Sequence, residues 1–365
     1  MKELLTRNEC TAMRGIAILA IVLHNYCHFI SKIVQENEYQ FFVSHNEQLW
    51  QVISHPDELL PIHLFSFFGH YGVPVFLFLS GYGLVRKYET SDDSCPPMRF
   101  VRYNYLKLLR MLIVGFSLFI CVDMVTPGRF QFHWDNVIAQ LLMYINVLPE
   151  PEKTIWPGIY WFFGLMMELY IVYRLLFYRR SSWIAVALIV VCWLLQAFCD
   201  PEGETLNRLR YNCIGGLLPF GLGIIAARVR TLRTGSTTPT DSAYASYGPI
   251  LWLLVFILSV ALVFAMSFNF YTWLLWIPIF IILGTIALVK AMPKWMLSIV
   301  TWFGSISAAM FVAHPIARKL FITVAWKQDV YDGLMLYIIT VIALSWAVKQ
   351  LIDRIPQPKL GRSRI

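Results

Sequence analysis

Charge is scarce in this chain: Asp, Glu, Lys and Arg make up 14% of 365 residues, against roughly a quarter of an ordinary soluble domain. That excludes water as the main solvent of the folded chain. No C-x-x-C pair occurs among the seven cysteines, and Cys10, Cys27, Cys95, Cys121, Cys192, Cys199 and Cys213 sit mostly in apolar runs. They read as small packing residues, which excludes a disulfide framework or a cysteine zinc site. No small-residue cleavage site follows the first apolar run, Gly15 to Tyr26, so it is expected to stay in the mature protein rather than serve as a cleaved signal. Internal repeats are also lacking, which counts against a transporter built from inverted halves. What the chain has in abundance is apolar surface, with 58% hydrophobic residues and a mean hydropathy of +0.59.

Runs long enough to cross a bilayer, about 20 residues each, recur from end to end. Spans are predicted at 12–33, 64–86, 103–125, 159–178, 182–199, 210–228, 248–267, 270–290, 297–320 and 333–352. The fold class expected is therefore all-α, a polytopic membrane protein with about ten transmembrane helices forming a single domain over residues 1–365. A shorter segment, Trp134 to Val147, carries Asp135, Asn136 and Gln140 and is expected to lie at the interface or re-enter. With the N-terminus in the cytoplasm, 22 of the 30 Lys and Arg residues fall on the inner loops, including Arg86 to Arg110 and the basic tail 353–365. This asymmetry predicts cytoplasmic N- and C-termini. Because the basic residues follow loop boundaries, a nucleic-acid partner is not expected. The Gly, Ser, Thr and Pro-rich stretch 231–247 reads as a flexible cytoplasmic linker.

An ionisable residue inside a span costs about 2.5–3.5 kcal/mol at its centre and so needs a reason. The first span has the densest group, running from Arg14 to His24, Asn25, Tyr26 and His28. At about 1.5 Å per residue, His24 should lie roughly 15 Å deeper than Arg14, near mid-membrane, with His28 one turn further out. A neutral histidine there can accept a proton, and the same residues also suit a core histidine bonded to a backbone carbonyl. His24 and His28 are four apart, but no Glu follows the first and no third ligand is evident, so no metal is expected. In the second span Gly69, Gly72, Ser80 and Gly81 suit close helix packing. Ser80 has no paired base in the sequence, so packing fits it better than a role as nucleophile. The large outer segments 34–63 and 126–158 carry Trp50, His63, Trp134 and Trp156, which suit either sugar stacking or an interfacial aromatic belt.

Taken in order, these residues resemble the membrane-bound acyltransferase-3 family. Arg14-Gly15-Ile16-Ala17 followed by a histidine is similar to its opening motif, and Gly72-Val73 through Phe76 to Ser80-Gly81-Tyr82 to its second. Lys107-Leu108-Leu109-Arg110 resembles its paired basic residues. Trp161 and Tyr170 keep the family's nine-residue separation, and Trp302-Phe303-Gly304-Ser305-Ile306-Ser307 through Phe311, His314 and Pro315 resembles its late motif. In the family the histidine lies eleven residues after the arginine, a place held here by Asn25, with His24 one earlier. Met166 stands where many members carry an acid, two residues before Glu168, and Leu112 stands where a proline often follows the basic pair.

The resemblance implies acyl transfer, commonly of acetyl, from acyl-CoA to a hydroxyl of a cell-envelope carbohydrate or lipid-linked sugar, in a bacterial cytoplasmic membrane and with no tightly bound cofactor. It implies His24 as general base, with His28 as the other candidate, and Arg14 close to the chemistry. Arg102, Lys107 and Arg110 are the expected donor-binding cations. Asn25, Ser80, Trp161, Tyr170 and His314 are expected to line the pocket. The competing reading is an exporter of a lipid-linked or small anionic substrate, using the same arginines for charge and the histidines as a proton relay.

Overall fold

The computed structural model describes residues 4–90, 95–233, 248–327 and 329–359, and among them it is all helical. Most of the predicted linker 231–247 and the end of the basic tail lie outside the described residues. The helices are α1 (Arg7–Cys27), α2 (Val43–Ser54), α3 (Leu60–Phe68), α4 (Gly72–Tyr88) and α5 (Pro97–Val125). They continue with α6 (Trp134–Leu141), α7 (Pro151–Thr154), α8 (Trp161–Val172), α9 (Ser182–Ala197), α10 (Glu204–Tyr211) and α11 (Cys213–Arg233). The last four are α12 (Pro249–Met266), α13 (Phe270–Ala291), α14 (Lys294–Lys327) and α15 (Val330–Arg354).

Eight segments among the described residues are long and apolar enough to cross a membrane, α3 and α4 counting as one through the 3₁₀ turn Gly69–Tyr71. α10 and α11, bent 45° at their junction, reach that length only as a pair, and α9 is a shorter apolar helix of 16 residues. Each of the ten predicted spans overlaps one of these helical segments, eight of them long enough to cross by themselves. The segment predicted to be interfacial folds as the short helix α6 and a 3₁₀ turn, too short to cross.

The first span is shifted from its predicted bounds, and the shift places the site. Thr6 caps α1 with a reciprocal box, its side chain accepting from Glu9 N while Glu9 Oε2 accepts from Thr6 N. The helix thus starts at Arg7 and ends at Cys27. Residues 28–42 then leave the helix and fold back across its end, with Lys32 in the left-handed region at φ +65°. His24 consequently occupies the last turn of α1 rather than the middle of a span.

α1 packs along α14, and α14 along α15, while α4 packs along α11. The α1–α14 contact is close because both helices present glycine. A Cβ on Gly15 would stand 1.8 Å from Val300 O, and one on Gly304 1.8 Å from Thr11 O. By contrast α12 leaves Ile250, Leu253, Leu254, Ile257 and Leu258 exposed, an apolar face suited to lipid. At the end of the bundle opposite His24, Arg228 makes a bidentate pair with Glu89 at 2.7 and 2.9 Å, and Tyr173 OH donates to the same carboxylate at 3.0 Å.

Candidate active site

Three elements converge where α1 ends: its last turn, the returning loop 28–42 and the break between α3 and α4. His24 Nδ1 lies 2.7 Å from Ser66 O of α3. A carbonyl only accepts, so Nδ1 carries the proton and Nε2 carries the lone pair. That lone pair faces Glu36 Oε1 at 3.9 Å and Glu38 Oε2 at 4.0 Å, both side chains being largely buried. These separations are too long for direct hydrogen bonds and wide enough for one oxygen to sit about 2.8 Å from both partners. His28, the C-cap of α1, bonds Glu36 Oε2 through Nδ1 at 2.6 Å. Its ring lies 5.4 Å from that of His24, and the buried His70 of the α3–α4 break lies 5.6 Å away on another side. The break approaches so closely because Gly69 has no side chain, since a Cβ there would meet His24 Cβ at 2.6 Å.

The loop is tied down by hydrogen bonds between its backbone and side chains of other elements. Ser66 Oγ donates to Val34 O at 2.6 Å, Val34 N donates to His63 Nδ1 at 3.1 Å, and Trp273 Nε1 donates to Asn37 O at 3.0 Å. His63 is therefore a clamp on the loop. Burial pushes the Glu36 carboxyl up, but the adjacent His28 and His24 outweigh it and hold it below the usual carboxylate range. Burial and the neighbouring Glu36 charge together push Glu38 up to about 8. Two carboxyls two residues apart are thus driven to opposite protonation states near neutral pH.

On the far side of His24 stands Arg318, in the last third of α14 and 5% exposed. Its Nη1 donates to Asn25 O at 3.1 Å and Asn25 Oδ1 at 3.4 Å, and its guanidinium packs over the Phe29 ring at 3.9 Å. Among the described residues no carboxylate pairs with it. One turn earlier His314 is fully buried, Nδ1 donating to Met310 O at 3.0 Å while Nε2 has no hydrogen-bond partner. The pocket residues predicted as Asn25 and His314 are therefore at this centre, with Asn25 serving to hold Arg318. Trp156 lies 5.8 Å from Arg318 and stacks on Phe130 at 4.3 Å, whereas Trp50 and Trp134 are exposed.

Trp161 and Tyr170 share α8 but serve opposite ends of it. Trp161 meets Tyr39, next to Glu38, edge to face at 5.6 Å. Tyr170, two and a half turns on, feels the charge of Arg14. Arg14 itself is exposed, and its charge bears on Lys107 together with those of Lys87 and Arg110. The structure thus brings Arg14, Lys107, Arg110 and Tyr170 together about 15 Å from His24 along α1. Arg102 is exposed on α5, one and a half turns before Lys107. Ser80 is not at the centre: its hydroxyl donates to Phe76 O at 2.8 Å, three turns along α4 from His70. Glu168 is also structural, accepting from Asn146 Nδ2 at 2.9 Å and from Cys213 N, at the start of α11, at 2.7 Å.

The sequence offered no third ligand beside His24 and His28, and here the structure corrects it. Ligand atoms of His24, His28 and Glu36 lie within 4.8 Å of one another, a set able to hold a divalent ion. As they stand, His28 and Glu36 are already hydrogen-bonded to each other, the arrangement of a proton relay. Glu36, Glu38, His70, Arg210 and Arg318 were not identified as site residues from sequence. The available signal was acidic residues set among Ile33, Val34, Tyr39 and Phe41, and an arginine inside an apolar helix.

Comparison with known proteins adds one match. Residues 8–349 match the acyltransferase domain of the acyltransferase-3 family. No curated protein and no solved structure matches the chain. A match across nearly the whole chain, on an all-helical membrane bundle, means that the protein belongs to the membrane acyltransferase-3 family and is an enzyme that transfers acyl groups.

Proposed function

We propose that the enzyme moves an acyl group, acetyl in the first instance, from acyl-CoA to a hydroxyl of a cell-envelope carbohydrate, across the bacterial cytoplasmic membrane. The observation that carries this reading is the free Nε2 of His24, buried at the end of α1, while about 15 Å back along the helix Arg14 with Lys107 and Arg110 gathers positive charge that no acid pairs among the described residues. Cations that repel one another and have no acidic partner among the described residues favour a polyphosphate ligand. That end is the cytoplasmic one in this reading, in keeping with the basic inner loops. The pantetheine arm of the donor then follows α1 and α8 toward the centre.

The acceptor oxygen fits between His24 Nε2 and the two carboxyls. Nε2 takes its proton as the oxygen attacks the thioester carbonyl, and Glu36 stabilises the imidazolium that forms. Arg318, a buried guanidinium beside the same turn, stabilises the negative charge on the carbonyl oxygen. Collapse expels CoA as a thiolate, which recovers the proton from His24. No covalent enzyme intermediate is required, in keeping with the packing bond of Ser80. The test is purified protein given labelled acetyl-CoA and an envelope extract. Label should pass to acceptor with release of CoA, and His24→Ala should stop it while the protein stays folded. An intact donor in the presence of wild-type protein would overturn the reading.

A further inference from the structure

The lone pair that makes His24 a base also makes it a metal ligand, and its neighbours are of the same kind. His24 Nε2 lies 3.9 Å from Glu36 Oε1, and His28 Nδ1 lies 2.6 Å from Glu36 Oε2. One ligand atom from each of the three residues lies within 4.8 Å of the other two. Bonds of about 2.0–2.1 Å in a tetrahedron set ligand atoms about 3.4 Å apart. The His24–Glu36 separation is about half an ångström above that spacing and the His28–Glu36 separation about 0.8 Å below it. Rotation of the His28 and Glu36 side chains closes both differences. His28 has room to move, its side chain being 29% exposed against 6% for His24 and 10% for Glu36. The same difference in exposure gives an ion its way in, past His28.

The surroundings are those of a ligand set. His24 donates its Nδ1–H to Ser66 O at 2.7 Å, the outer-shell bond that ligating histidines almost always make and that fixes the other nitrogen toward the metal. The carbonyl that orients His24 and the loop that carries Glu36 share their anchors. Ser66 Oγ donates to Val34 O at 2.6 Å and Val34 N donates to His63 Nδ1 at 3.1 Å, holding α3 against the loop. Glu38 Oε2 adds a further oxygen that faces His24 Nε2, at 4.0 Å. The nearby guanidinium groups are turned to other partners, Arg318 to Asn25 O and the Phe29 ring, Arg210 to the backbone carbonyl of Glu38. Two imidazoles with a carboxylate suit Zn²⁺ or Co²⁺, whereas Mg²⁺ and Ca²⁺ take oxygen ligands.

We propose that His24, His28 and Glu36 form an inhibitory zinc site. An ion about 2.0–2.1 Å from Nε2 takes up the lone pair that acyl transfer needs and stands where the acceptor oxygen would lie, so ion and acceptor exclude each other. The inhibition rests on the acyl-transfer reading above, while the binding does not, and it names how that centre is switched off. In the active state His28 and Glu36 keep their own hydrogen bond and the base is free. Because His28 lies at the end of α1 away from Arg14, the ion arrives from the side opposite the donor.

The test uses the full chain in phosphatidylcholine nanodiscs, stripped with EDTA and then dialysed. Zn²⁺ in a calorimetric titration should bind at one ion per chain, Co²⁺ should give the intense visible absorption of a tetrahedral site, and Mg²⁺ should do neither. His28→Ala and Glu36→Gln should each weaken Zn²⁺ binding at least about tenfold, the loss that follows removal of even an outer-shell partner. Either variant serves if the other fails to fold. His55→Ala and His133→Ala, at exposed histidines outside the set, should leave binding as it is. Acetyl transfer to an envelope extract should fall as Zn²⁺ fills the site, recover with EDTA and not recover with added acetyl-CoA. The residual transfer of His28→Ala should need at least about tenfold more Zn²⁺ for the same inhibition. Binding unaltered by both ligand variants, or an octahedral Co²⁺ spectrum, overturns the site. Transfer that persists with the site filled, or that requires Zn²⁺, overturns the inhibition. Zn²⁺ binding at these residues in a protein that transfers no acetyl when metal-free upholds the site and counts against the catalytic reading alone.

Discussion

The two ends of α1 solve opposite electrostatic problems. Around Arg14 the cations are exposed or partly exposed and share no acid among the described residues, Arg110 being held by a hydrogen bond to Ile355 O at 3.1 Å. At His24 the ionisable groups are largely buried and held by a folded-back loop, and the protonation of the two carboxyls, Glu36 and Glu38, is set by burial and by neighbouring charges. An exposed cluster can bind a charged ligand but cannot tune a proton. A buried one can tune a proton, at the cost of a scaffold that fixes every partner. The difference assigns binding to one end and chemistry to the other.

That division can be broken most directly at His24. His24→Ala should lower kcat by about 10²–10⁴-fold, with KM for acetyl-CoA and the melting temperature little altered. A variant with wild-type kcat would remove the base from its role. Next in size is the basic end: Lys107→Ala with Arg110→Ala should raise KM for acetyl-CoA by roughly 10–100-fold, given about 1.5–3 kcal/mol for a charged hydrogen bond. The effect should shrink at high salt, and a loss confined to kcat would erase the division. His28→Ala should be milder, near tenfold in kcat on the scale of one charged hydrogen bond. It frees Glu36 from its 2.6 Å partner, so the pH–rate profile should shift as well, whereas a structural role would leave that profile in place.

A fourth prediction concerns stability. The folded Glu38 carboxyl holds its proton up to about 8, against an ordinary value of 4.5. Between those values the folded chain binds more protons than the unfolded one, so stability falls as pH rises across that window. Glu38→Gln should flatten the fall, as read from melting temperatures at pH 5, 7 and 9 on a grid of roughly two units around the shift. An unchanged slope would mean that Glu38 is charged in the fold. The smallest effect is expected at Ser80→Ala, with kcat within about twofold, because its hydroxyl only bonds Phe76 O.

Most of the fold and part of the site are legible in the order of residues. The ten apolar runs all become helical, and eight of the resulting segments are long and apolar enough to cross a membrane, because a chain in lipid must satisfy its backbone within each segment. Arg14 and His24, Lys107 and Arg110, and Trp161 and Tyr170 can each be paired by helical spacing. What spacing misjudges is the level of His24, since the Thr6 cap and the turn after Cys27 move α1 toward the N-terminus. Glu36 and Glu38 read as outer-loop acids because nothing local to residues 28–42 shows that the loop turns back over a helix end. Arg318 falls with the outer loops on a hydropathy reading, although α14 continues past it and buries it.

The sequence by itself determined the all-helical membrane class and singled out the basic cluster and the histidine, which follow from composition and from distances along one helix. Only the tertiary structure decided which carboxyls face that histidine, which of its nitrogens is free, and that Arg318 stands beside it. Those depend on contacts between residues far apart in the chain, Ser66 with His24 and Arg318 with Asn25 among them, and no periodicity along a single segment encodes them.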